Sequence, residues 1–136
     1  LVAVSDPVAR ASAAQALEDG RFEVQTAAEW TSAVEKVESE RFDVVIAEVE
    51  MPVVGGLDLL KAIRSNRPGT LVFLLGRDTA ENGERRARNL GAAGYLKKPV
   101  KRHELALQVA TASEEVHNKR MLTSLGIRGG KLRMVS

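Results

Sequence analysis

The chain has 136 residues, 44% hydrophobic and 28% charged, with a formal net charge of +2, values that suit one soluble domain and a short surplus. It has no cysteine and two histidines, His103 and His117, which excludes disulfides, Cys-ligated zinc, iron–sulfur clusters and thiol catalysis, and no run reaches the ~18–20 apolar residues of a membrane span. Residues 1–112 hold 15 Lys+Arg against 16 Asp+Glu, while residues 113–136 hold five against two, so the positive charge lies in the tail and no nucleic-acid surface is predicted over the body.

The first element, residues 1–4, is an apolar strand that starts at Leu1 without a methionine or a signal peptide. That start predicts a trimmed piece of a cytoplasmic protein. A helix over residues 7–19 follows and stops at Gly20, then a second strand over 22–26. Residues 31–40 form a helix with Ala33, Val34 and Val37 on one face. Residues 44–48 carry no polar alternation until Glu48, as a strand buried on both sides requires. After the Gly55-Gly56 break, residues 57–64 place Leu57, Leu60 and Ile63 on one helix face. A strand over 71–75, a helix over 80–90 stopped by Gly91, and a strand over 94–97 complete the alternation. The last helix starts at Arg102 and repeats Leu105, Val109, Ala112 and Val116 as a packing seam.

Five strands each followed by a helix predict an α/β fold: a doubly wound, five-stranded parallel sheet with helices on both faces. Residues 1–112 form this domain, and residues 113–136 form a helical extension with a basic tail. The tail's apolar residues Met121, Leu122 and Leu125 precede Gly126, Gly129 and Gly130. The extension leads to a partner or an absent output domain, or ends disordered. No segment of it is long enough for a helix-turn-helix.

Ligands of open parallel sheets sit at the carboxyl ends of the strands. That rule selects Ser5 and Asp6, Glu48 to Glu50, Gly76-Arg77, and Lys98-Pro99. At these places the segments "VSDPVAR", "FDVVIAEVEMPVVGGLDLLKAIR" and "GAAGYLKKPV" resemble the receiver domain of bacterial response regulators, the phosphoacceptor module of two-component signalling. Pro7, Pro52, Gly56 and Leu57 fall in the register of that pattern. The resemblance implies a flavodoxin-type fold and a site with four parts. Those parts are an aspartate that takes the phosphoryl group, an acid pair that holds Mg²⁺, a hydroxyl, and a lysine on the phosphoryl oxygens.

Carried onto this chain, the phosphoacceptor position is Glu48 and the acid pair is Val4 and Ser5, with Asp6 one place on and Glu50 nearby. The hydroxyl position is Gly76, and the lysine is Lys98. Val4 and Ser5 offer no carboxylate to an octahedral Mg²⁺, and Glu48 is one methylene longer than an aspartate. The expectation is a degenerate receiver with no cofactor and no Mg²⁺ site. Lys98 would pair with Glu48, either in partial imitation of a phosphorylated aspartate or as a structural ion pair only.

Three further readings complete the expectation. In an alternative alignment with one residue deleted, Asp6 becomes a metal-binding acid that acts with Glu48 and Glu50 in a working phosphoacceptor site. A flavodoxin-like ligand-binding protein is the alternative from another class, although neither GxGxxG nor a P-loop occurs. In the leading reading the chain is not an enzyme. It binds a protein partner or a second copy through its fourth helix, fifth strand and fifth helix.

Four other features stand out. Tyr95 matches the family's switch aromatic and otherwise reads as an amphipathic residue on an edge strand. The Lys98-Pro99 bond is cis by resemblance. Trp30 reads as a half-exposed helix-start residue or a partner anchor. His103 has no expected role, and Arg85, Arg86 and Arg88 read as a solvated basic face.

Overall fold

In the structure, a computed structural model, residues 1–49, 56–66, 69–77 and 79–124 are described. The elements run β1 Val2–Ala3, α1 Pro7–Asp19, β2 Thr26–Ala27, α2 Trp30–Ser39, β3 Val44–Glu48, α3 Gly56–Asn66, β4 Leu71–Gly76, α4 Ala80–Asn89, β5 Gly94–Lys97 and α5 Arg102–Ser124. The strands form one parallel sheet in the order β2-β1-β3-β4-β5. The predicted doubly wound architecture is present.

Strand periodicity divides the core into two layers. Val45 and Ala47 of β3, Val72 and Leu74 of β4, and Ala3 of β1 face one side. There they meet Ala33 and Val37 of α2, Leu59, Leu60 and Ile63 of α3, and Ala87 of α4. The alternate residues Val2, Val44, Ile46, Phe73 and Leu75 face Ala13 and Leu17 of α1 and Leu105 and Val109 of α5. β3 is buried along its whole length, as its unbroken apolar run predicted.

Two elements depart from the sequence reading. The second strand pairs only at Thr26 and Ala27, not over 22–26. Phe22 and Val24 are half-buried against the α1–α5 layer, so their alternation records packing at the base of the sheet and no ladder. In α3 the buried set is Leu59, Leu60 and Ile63, with Leu59 fully buried and absent from the predicted face. The Leu57 side chain lies outside the described residues.

Asp6 caps α1, its Oδ2 accepting from the Ala9 N–H at 2.7 Å, and Pro7 opens the helix where its missing N–H costs nothing. α1 ends at Gly20, as predicted, but Gly20 keeps an ordinary φ of −83°, and the left-handed turn falls on Arg21 at φ 69°. α5 crosses residue 112 without a break and reaches Ser124. Leu125 and Gly126, Gly129 and Gly130 lie outside the described residues, and no helix among those described is long and apolar enough to cross a membrane.

Candidate functional site

The strand order reverses between β1 and β3, and the crevice outside their carboxyl ends is where this topology places a site. Glu48 is the last residue of β3 and is 3% exposed. A carboxylate so enclosed needs partners for its oxygens. Ser5, just past β1, supplies two: its backbone N–H donates to Glu48 Oε1 at 2.5 Å and its hydroxyl donates to the same oxygen at 3.1 Å. Lys98, just past β5, donates from Nζ to Oε2. Burial pushes the Glu48 carboxyl upward. The Lys98 hydrogen bond, the Ser5 N–H, the Lys98 charge and the Ser5 hydroxyl together outweigh that cost, so the group sits below its ordinary value of 4.5.

The other positions distribute unevenly around this pair. Val4 is 1% exposed and belongs to the apolar α1–α5 layer. Asp6 turns its carboxylate onto the α1 N-terminus. Gly76 closes β4, and its carbonyl accepts from the Lys98 N–H at 2.8 Å, which fixes the start of the loop carrying the ammonium. The Lys98-Pro99 bond is cis. Tyr95 stands on the edge strand but is 8% exposed, its ring lying against Gly76 and against Gly83 of α4. Glu50, Pro52 and Gly55 lie outside the described residues, as does the side chain of Trp30, which opens α2. His103 is exposed, and Arg85 and Arg88 are exposed in i,i+4 ion pairs with Glu81 and Glu84.

One residue of the site was not read from the sequence as a contributor. Arg10, in the first turns of α1, donates from Nη1 to the carbonyls of Val4 at 2.9 Å and Ser5 at 3.1 Å. A guanidinium laid on backbone carbonyls leaves no pattern of side-chain types. The only signal was its spacing after Val4 and Ser5, which brings the second turn of a helix back over the strand that feeds it.

The family profile described as the response regulator receiver domain matches residues 1–110. The chain belongs to the response regulator receiver domain family. This receiver domain is 35% identical over 112 residues to the probable transcriptional regulatory protein TcrX of Mycobacterium tuberculosis, covering 80% of this chain and 47% of that protein. It is 32% identical to the transcriptional regulatory protein PdtaR of the same organism, covering 90% of this chain and 68% of PdtaR. The receiver domain protein of Methanospirillum hungatei superimposes with a TM-score of 0.79 at 25% identity, over 86% of this chain and 94% of that one. The receiver spans half or less of the curated relatives it first matches. It is therefore a module of two-component signalling, the portion those proteins share with it.

Proposed function

We propose that this receiver domain signals without phosphorylation, as a protein-interaction module. The observation that carries the reading is the state of Glu48, whose two carboxylate oxygens are both engaged by Ser5 and Lys98. An acceptor must present a free oxygen in line with the incoming phosphoryl group, with cations placed on the developing charge.

The residues present do not fit Mg²⁺. The ion needs a near-octahedral oxygen shell, usually with one or two carboxylates. Here Val4 is apolar and buried, Ser5 is spent on Glu48, Asp6 caps α1, and the Lys98 ammonium already neutralises Glu48. The domain instead presents α4, β5 and α5 to a protein partner or a second copy, in the cytoplasm, with any output domain carried elsewhere in the protein.

Incubation with acetyl phosphate and Mg²⁺ followed by intact-mass measurement tests the reading. The expected result is no phosphoryl increment. An increment that disappears in Glu48→Ala overturns it.

A further inference from the structure

The charges of the folded body are sorted along the chain. Residues 18–43, which supply the end of α1, β2 and α2, hold eight acids against three bases, a net of −5. Residues 77–102, which supply α4, β5 and the start of α5, hold eight bases against three acids, a net of +5. Residues 1–17 and 44–76 are each balanced.

The sheet order turns this sorting into geometry. β2 is one edge strand and β5 the other, with α2 against β2 and α4 against β5. Four inter-strand steps separate the two edges, ~19 Å at the usual strand spacing. That exceeds the Debye length of ~8–10 Å near physiological salt, so the two poles of one molecule scarcely neutralise each other through solution. Asp19 and Arg102 do meet, at 3.3 Å across the α1–α5 side, and taking one charge from each pole leaves −4 and +4.

Glu23, Glu29, Glu35 and Glu38 are exposed in the first segment, and Arg85, Arg88, Lys97 and Lys101 in the second. The exposed large hydrophobics among the described residues, Val8, Leu107 and Met121, fall in neither. What the edges offer a partner is therefore charge, without an apolar anchor. On α4 the arginines Arg85 and Arg88 are interspersed with Glu81 and Glu84. Such acids repel a polyphosphate, whereas they suit a protein surface that carries a few bases among its acids. The β2–α2 edge of the same chain, three bases among eight acids, is a surface of that kind.

We infer that the chain associates head to tail with a second copy, the acidic β2–α2 edge of one molecule lying against the basic α4–β5 edge of the next. The inference rests on the reading of α4, β5 and α5 as the docking face and names what that face meets. A twofold dimer on either edge would set like charge against like. Opposite poles on opposite edges leave one free pole at each end of a pair, so the contact repeats and builds short chains. Because charge holds them, these chains form and dissolve with ionic strength.

Sedimentation velocity of the full chain over a concentration series tests the inference. In about 20 mM salt the mean mass should climb past the dimer as concentration rises, and about 0.3 M salt should weaken the association by about tenfold or more. Glu23→Lys/Glu35→Lys/Glu38→Lys takes the acidic segment from −5 to +1, and Arg85→Glu/Lys97→Glu/Lys101→Glu takes the basic one from +5 to −1. Each triple variant alone should be monomeric at low salt. Mixed, they should form a 1:1 dimer that grows no further, since each supplies one native pole, and that recovery shows both are folded.

A monomer at every concentration in low salt, or an association indifferent to salt, overturns the inference. So does loss in the basic-edge variant alone, the mark of a twofold dimer, or in the acidic-edge variant alone, the mark of the basic residues of 119–133 on that edge. An oligonucleotide that dissociates the chains at equal concentration overturns it in favour of nucleic acid. A phosphoryl mass increment with the association intact would count against the proposed function alone. No increment and no association would count against this inference alone.

Discussion

A carboxylate taken out of water must be given back its hydrogen bonds, and Glu48 receives them from Ser5 at the end of the neighbouring β1 and from Lys98 at the end of β5, two strands away. The side chains of the pair are 4% exposed at Glu48 and 27% exposed at Lys98, so the two partners are not equivalent. Removing the ammonium leaves a buried charge alone, whereas removing the carboxylate leaves an ammonium that water can still reach. Lys98→Met should therefore cost ~3 kcal/mol in urea unfolding, and Glu48→Gln about half of that. A larger loss in Glu48→Gln would show that the enclosed charge is not what the pair protects. The facing of these two residues was legible, because the strand-end rule brings the ends of β3 and β5 to the same edge. Two things were not: that Ser5 would donate twice to Glu48, and that Arg10 would clamp the end of β1. The Ser5 N–H and the Val4 and Ser5 carbonyls that Arg10 binds are backbone groups, which nearly every residue carries alike.

At the scale of elements, α1 holds the plainest lesson. Asp6-Pro7 is the sequence signature of a capped helix start, and Asp6 uses its carboxylate there and not at the strand edge. Asp6→Ala should lower stability by ~1 kcal/mol and Asp6→Asn by little, measured by thermal unfolding. At the other end, glycine and the left-handed turn are one residue out of step. Arg21→Gly should stabilise by about 1 kcal/mol, because a side-chain Cβ is crowded at φ 69°. No gain on that change would mean that Arg21 contributes as much as it costs. In α3, the i, i+3, i+6 template missed Leu59, since a helix lodged against a sheet buries a stripe wider than one row. Leu59→Ala should cost about 3 kcal/mol, comparable to any deep core leucine.

At the scale of the molecule, strand count, the doubly wound parallel sheet and helix placement were readable, because each apolar run needs burial on both faces and right-handed crossovers supply it. The short β2 was misplaced because half-buried alternation looks the same whether it serves a ladder or a loop. Acid sensitivity follows from Glu48, whose carboxyl is held below its ordinary value by Lys98 and Ser5. Glu48 binds its proton less readily folded than unfolded, so its contribution is full above the unfolded value and fades as pH falls through the lower folded one. Unfolding measured from pH 6 downward should show this slope, and Glu48→Gln should flatten it. An unchanged slope would place the acid sensitivity elsewhere.

α5 adds a consequence of another kind. Twelve residues beyond Ala112 it is still helical at Ser124, ~18 Å further along its axis, and every residue in that stretch turns the bearing of the segment after it by about 100°. The extension is thus a shaft with a definite angular phase. Removing one residue from it would turn the direction in which the helix end at Ser124 faces by about 100°. Removing seven would restore that direction to within about 20°, about two turns nearer the body.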